Sequence, residues 1–411
     1  MDRARIEEAR AGMALENARN RAEKFADFPT LPNLPASRYS DATFYQLEMD
    51  HLWTKTWLLV GHTGDLPEKG CYKVWNELGW PIILVRGADD RIRAFHNVCR
   101  HRGGAFVGEP KGKMKVLSCH FHGWTYGLDG KFKGMPVPQD FPNFNKDENG
   151  LLPVRCEMLG PLIFINRDLN SPSLLESFGP RIVDDLKDYD FDQRMVFHKG
   201  EYQLLTNWKY VHEAFLEEYH IYTVHANSFA NSVKPGSTLL NLFDHGHSRI
   251  VSPMKDGDPA LKEANPMYNA RGSDPRHELN RESFIAYGIH PNITISSSEN
   301  EFTIFVMWPR GPLETYSEIY FLTKPENGVI NQARCDTFLQ QFPVIMDEDI
   351  ENCRRAAAGL NGGALNEVGF NMGYGDRQVY HWHEAIDRTI GIEKIPEKLR
   401  VRQLLQPYHE H

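Results

Sequence analysis

Two stretches decide how this chain is read: Cys99-Arg-His101-Arg-Gly-Gly104 and Cys119-His-Phe-His122-Gly-Trp124, with seventeen residues between His101 and Cys119. Each offers one thiol and one imidazole, and glycine follows. Two thiolates and two imidazoles could hold zinc. Zinc loops, however, usually pair cysteine with cysteine and histidine with histidine. One sulfur and one nitrogen per loop fits an asymmetric [2Fe–2S] cluster, with both cysteines on one iron and both histidines on the other. Neutral imidazoles in place of thiolates make reduction easier, with potentials of about −150 to +300 mV for such centres.

The residues around these loops read as short strands. Trp80-Pro-Ile-Ile-Leu-Val-Arg86 is a buried strand and Gly87-Ala-Asp-Asp90 its turn. Trp124-Thr-Tyr-Gly-Leu-Asp-Gly130 ends in an Asp-Gly hairpin signal. The pattern predicts a small all-β domain, with the cluster ligands on loops at its tip.

That domain needs only part of 411 residues. The remainder has room for a second domain, and 41% hydrophobic residues supply a core. No apolar run is long enough to span a membrane, and the N-terminus lacks a signal-peptide core. Six cysteines are few, and Cys71, Cys156, Cys335 and Cys353 show no pairing logic. Free thiols beside a redox cluster predict a cytoplasmic protein. A net charge of −9 argues against nucleic acid as a partner.

Residues 1–27, rich in Ala, Arg and Glu, read as a solvated helix or an oligomer arm. Further on, Thr206 to about Tyr222 reads as a helix, as does Pro343–Leu360. Pro291–Ser297 and Glu301–Trp308 read as paired strands, and Tyr316–Thr323 as another. Lys255–Arg281, with its Gly, Pro, Asp and Asn, reads as a loop or lid.

A second metal site is readable in Asn207-Trp-Lys-Tyr-Val-His-Glu213-Ala-Phe-Leu-Glu217-Glu-Tyr-His220, followed by His225. Two histidines and one carboxylate make the facial triad of non-heme Fe(II). Positions i and i+5 lie about 140° apart on a helix. A break near Tyr222 and Thr223 is therefore expected, while Glu213, Glu217 and His220 would share one helical face. The third ligand must come from elsewhere. On a wheel over 343–360, Asp349 is the lone acid on the apolar face, with Ile345, Met346, Cys353, Ala356 and Leu360 within about 60° of it. Asp347, Glu348 and Glu351 point to the other side. A buried carboxylate needs a cation, so Asp349 is the candidate. His245-Gly-His247 and His381-Trp-His383 have no partner acid and read as core or surface residues; His409 and His411 read as tail residues.

Taken together, C-x-H-x17-C-x2-H with its flanking Arg-His-Arg-Gly-Gly and His-Gly-Trp-Thr-Tyr resembles a Rieske domain. From about Tyr45 to Leu405 the chain resembles the α subunit of a Rieske non-heme iron oxygenase. The string Asn-Trp-Lys, Glu213, Glu217, His220, His225 matches that family's iron segment position by position. The resemblance implies an α+β fold: an all-β Rieske [2Fe–2S] domain at 45–166 and a catalytic mononuclear-iron domain at 167–411. The latter has an antiparallel sheet flanked by helices, and an N-terminal helical arm at 1–44 belongs to it. It further implies cluster ligands Cys99, His101, Cys119 and His122, and iron ligands His220, His225 and Asp349. Electrons would come from a reductase or ferredoxin, and O2 would be used to hydroxylate a small apolar or aromatic molecule. Glu217 stands where the family bridges a cluster histidine of one subunit to an iron histidine of the next, which implies a homotrimer, with room for a small β subunit. Relatives oxidising quaternary ammonium compounds also carry Glu there, so a monooxygenase or demethylase of such compounds is the alternative. An electron carrier or redox sensor without the mononuclear iron is the alternative of another class. Phe215, Phe229, Phe243, Ile293 and Ile295 are the expected pocket walls.

Overall fold

Short β-branched and aromatic runs, separated by glycine turns, form two antiparallel sheets of seven strands each and a small third sheet. The computed structural model describes residues 1–22, 28–255, 274–298 and 300–408. Most of the expected loop, at 256–273, lies outside the described residues, as do His409 and His411. The chain divides into two compact units, Thr54–Leu174 and Met1–Trp53 with Leu175–His411.

In the unit Thr54–Leu174 the large sheet runs Leu58–His62, Leu162–Asn166, Pro153–Leu159, Ile92–His96, Ile82–Arg86, Cys71–Trp75, Lys111–Lys113. The small sheet runs Leu117–Ser118, Thr125–Tyr126, Phe132–Gly134. Phe95, Phe106, Trp124, Tyr126 and Phe132 fill one core with Cys99 and Cys119. The Asp-Gly signal is used as expected: the Gly130 N–H donates to the Gly127 carbonyl at 3.0 Å. Gly130 has φ +80°, and a Cβ there would come within 2.5 Å of the Phe95 ring. Glycine is required on both counts.

In the other unit the sheet order is Met195–Leu204, Glu314–Thr323, Glu301–Gly311, Ile293–Ser297, Ser283–Ile289, Ser248–Pro253, Leu239–Leu242, all antiparallel. The helix expected from Pro343 begins earlier and spans Gln332–Asn361. Asn331 caps it by accepting the Arg334 N–H. Cys335 and Phe338, both buried, extend the apolar stripe upstream of Pro343. Proline is a start signal only where no such stripe precedes it.

The N-terminal segment is not a solvated helix. Arg3–Ala22 buries Ile6, Ala9 and Met13, and Arg5 pairs with buried Asp185 at 2.9 Å. Glu16, itself buried, pairs with Arg377 at 3.0 Å. The apolar stripe is narrow, with Ile6, Ala9 and Met13 buried and Leu15 left exposed, so composition alone hides its packed face. Among the described residues no helix is long and apolar enough to cross a membrane. All six cysteines are free.

Candidate functional site

The two Cys/His loops have matching backbones. The Cys99 N–H donates to the Gly104 carbonyl (2.8 Å) and the Gly103 N–H to the Cys99 carbonyl (3.0 Å). In the second loop the Cys119 N–H donates to the Trp124 carbonyl (2.8 Å) and the Gly123 N–H to the Cys119 carbonyl (2.9 Å). Gly103 and Gly123 both sit at positive φ, +75° and +68°, which side chains disfavour. A Cβ on Gly104 would lie 3.2 Å from Cys119 Sγ. These glycines let the loops approach each other.

Their side chains converge. The His101 and His122 ring centroids are 4.5 Å apart, and His101 stacks on Trp124 at 4.9 Å. Burial, with Cys119 alongside, raises the Cys99 thiol above its usual pKa. His101 Nδ1 is buried with no hydrogen-bond partner. An orphaned ring nitrogen beside two buried thiols is a set that an iron–sulfur cluster satisfies.

In the second unit, Asn207 caps a helix Trp208–Glu213 by accepting the Lys209 N–H. That helix stops sooner than its pattern predicts. The Phe215 and Leu216 N–H groups turn back to the carbonyls of His212 and Glu213, three residues earlier. A one-turn helix, Ile221–Val224, follows. Glu213 therefore does not share a face with Glu217 and His220. It accepts the Tyr39 hydroxyl proton at 2.6 Å and lies 2.8 Å from His383 Nε2. Burial pushes its pKa up to about 8. The carboxylate needs buried donors, and only distant parts of the chain supply them.

His220, His225 and Asp349 come together, each offering one ligand atom within 4.8 Å of the others. Asp349 Oδ1 lies 3.0 Å from His225 Nε2 and 3.7 Å from His220 Nε2, yet it is buried and makes no hydrogen bond. Lone pairs converging on one point without a shared proton are what a cation satisfies. The set of two histidines and one carboxylate fits non-heme iron.

On its other nitrogen, each histidine meets a carboxylate. Glu217 Oε1 lies 2.5 Å from His220 Nδ1. Glu348 Oε2 lies 2.7 Å from His225 Nδ1 and accepts the Ser228 hydroxyl at 2.6 Å. The wheel placed Glu348 on the far side, and this is a correction. Neighbouring residues on a helix differ by about 100°, and the longer Glu side chain reaches round the flank to His225. Only the position of His225, 123 residues away, reveals it. Burial alone would lower the His225 pKa, but the carboxylates of Asp349 and Glu348 outweigh it and hold it above the usual value.

A cavity open to solvent adjoins this triad. One sheet face forms a wall, with Glu301, Thr303 and Phe305 alternating along their strand. The helix Gln332–Asn361 lays Phe338, Phe342, Ile345, Met346 and Asp349 against the opposite side at helical spacing. Phe215 and Phe229 line it as expected, but Phe243, Ile293 and Ile295 do not. Ile293 and Ile295 lie on the strand face opposite Ser296, which lines it; on their own face only Ser297, at the strand end, reaches the cavity. Glu301 was not foreseen; an acid inside the run Glu-Phe-Thr-Ile-Phe was the available signal.

Of the other candidate histidines, His247 and His381 serve the core, and His245 is exposed. His247 Nε2 bonds the Ser177 carbonyl at 2.7 Å, and His381 Nε2 the Phe243 carbonyl at 2.8 Å. Asp190, Asp274 and His277 also draw together, but Arg276 and Lys324 already pair with Asp190 at 2.8 and 2.5 Å.

Comparison with known proteins agrees with this geometry. Residues 56–145 match the family model of the Rieske [2Fe-2S] domain, and residues 191–392 that of the ring hydroxylating alpha subunit catalytic domain. The chain is 33% identical to the glycine betaine monooxygenase oxygenase subunit of Pseudomonas aeruginosa over 226 residues, 54% of this chain and 50% of that protein. It is 31% identical to the 2-aminobenzenesulfonate 2,3-dioxygenase subunit alpha of an Alcaligenes species, over 62% of each chain. The match thus spans about half the length of the first of these relatives. A solved quaternary ammonium Rieske monooxygenase shares the fold, with TM-score 0.72 and 20% identity over 87% of this chain and 95% of that one.

Proposed function

Because the chain belongs to the Rieske non-heme iron oxygenase α-subunit family, whose cofactors are a Rieske [2Fe–2S] cluster and a mononuclear iron, we propose that it is a terminal oxygenase that hydroxylates a quaternary ammonium or similar alkylammonium compound next to its nitrogen. The cavity carries this reading. Its described lining combines six phenylalanines with Glu217, Glu218, Glu301 and Asp349 and contains no lysine or arginine. Aromatic faces and acids attract an alkylammonium cation and disfavour an anionic ring. The glycine betaine and quaternary ammonium relatives support the same class.

In this reading Cys99, His101, Cys119 and His122 hold the cluster, and His220, His225 and Asp349 hold the iron. When bound, these groups supply one-electron transfer and O2 activation. The overall change is R–H + O2 + 2 electrons + 2 H⁺ → R–OH + H2O, with electrons from a reductase or ferredoxin. A hydroxyl on a carbon beside nitrogen leads on to loss of that carbon as an aldehyde, so the net result is dealkylation. The protein's own residues bind, orient and exclude. Glu217 and Glu348 fix the ring planes of His220 and His225, so that both Nε2 atoms face Asp349. The phenylalanine walls keep water from the substrate. Glu217 would further bridge to a neighbouring subunit's cluster histidine in a homotrimer, as the family resemblance implies.

An apolar arene is the second reading, and the same aromatic lining favours it. Substrate-dependent oxygen uptake with a matched reductase tests both. Trimethylammonium compounds should stimulate uptake and release an aldehyde. If only arenes do so, the arene reading replaces this one. Metal analysis should find about three irons per chain. Two irons would instead mark an electron carrier.

A further inference from the structure

We propose that Glu301 is the specificity-determining residue that pairs with the positive nitrogen of the substrate; this rests on the alkylammonium reading above. Four acids line the cavity among the described residues, and three have other work. Asp349 belongs to the triad, Glu217 sits on His220, and Glu218 accepts the Tyr222 hydroxyl at 2.9 Å. Glu301 remains.

Glu301 is held in place from behind. It starts the strand Glu301–Gly311 opposite Thr323, and it is only 3% exposed. Its Oε1 accepts from Arg334 Nε at 2.6 Å and from the Thr323 hydroxyl at 3.4 Å. Oε2 has no hydrogen bond to any described residue. Arg334 is itself divided, since it also donates to Glu326 at 2.6 Å. Arg334 is thus shared between two carboxylates, of which only Glu301 lines the cavity. Burial raises the Glu301 pKa, and Arg334 and Arg194 do not cancel the effect. The carboxylate can therefore gain from a further cation.

The surroundings suit a methylated cation. Phe305, four residues along the strand and on the same face, lies 4.4 Å from Phe215 and 5.9 Å from Phe342, centroid to centroid. Phe338 stacks on Phe342 at 6.2 Å. An acid beside several ring faces gives directional charge pairing inside an apolar shell. A merely structural Glu301, tying strand to helix through Arg334, would be indifferent to the charge of the ligand.

The test compares choline with 3,3-dimethylbutan-1-ol, which puts carbon in place of the charged nitrogen at the same shape. Binding to the iron-loaded enzyme is measured by calorimetry without oxygen. Wild type should prefer choline by about tenfold or more. Glu301→Gln keeps the size and an acceptor for Arg334, and should reduce the preference to about twofold or less while leaving the affinity for the alcohol unchanged. A preference that persists in Glu301→Gln overturns the assignment of Glu301. Equal or undetectable binding of both probes by wild type overturns the alkylammonium reading instead. If Glu301→Gln loses its cluster absorbance, Glu301→Asp decides. It keeps the charge but withdraws the carboxylate by one methylene, and should lose about threefold of the preference; an undiminished preference again overturns the assignment.

Discussion

Removing the carboxylate of Glu348 should loosen the iron without touching the cluster. His225 is gripped on Nδ1 by Glu348 at 2.7 Å, and Glu348 is steadied by Ser228 at 2.6 Å. That contact fixes the tautomer with the proton on Nδ1 and leaves the Nε2 lone pair 3.0 Å from Asp349 Oδ1. Carboxylates behind metal-bound histidines are worth about 10–100-fold in metal affinity, or ~1.4–2.7 kcal/mol. Glu348→Ala leaves Nδ1 without its acceptor and belongs at the upper end, about 100-fold. Glu348→Gln keeps an acceptor but loses the charge, and belongs near tenfold. The assay is competition between protein and a coloured Fe(II) chelator, with cluster absorbance as an internal control. Iron affinity within about twofold of wild type in both variants would refute the positioning role. Equal loss of cluster and iron would mean that the substitution disturbs folding rather than His225.

Asp349→Ala should empty the mononuclear site and spare the cluster spectrum, whereas Asp347→Ala should do far less; equal iron loss in both would show that Asp349 is not the ligand. Glu217→Gln should keep both metals yet leave the reduced cluster unoxidised in a single turnover with oxygen and substrate, and reoxidation at the wild-type rate would remove Glu217 from the electron path. Glu213 has a folded pKa of about 8 against an ordinary 4.5, so between those values the folded state holds a proton that the unfolded chain has lost. Stability should fall as pH rises across that window and level off above it. Thermal unfolding from about pH 5 to about pH 8 should show this slope in wild type and a flatter one in Glu213→Gln, and identical slopes would refute it.

Residues close in sequence announced themselves. The Cys/His loops were legible because four candidate ligands within two short loops carry both the donor chemistry and the glycines that close their turns. The paired strands of the catalytic sheet followed from β-branched alternation, and Asp349 from its place on an apolar helical face. What the wheel could not resolve was the flank of that helix. Glu348 counted as outward until His225 came to meet it.

The amino-acid sequence by itself carried the cluster motif and the family, and it singled out the candidate iron ligands, His220 and His225 by short spacing and Asp349 by its place on an apolar helical face. Tertiary structure alone decided where the helix after Asn207 stops, since Glu213 finds its donor in Tyr39, 174 residues earlier. It also decided which phenylalanines line the cavity, and that Glu301 lies at its wall with Arg334 behind. Those outcomes depend on which distant groups satisfy a buried charge, and local spacing carries no information about partners that only folding brings near.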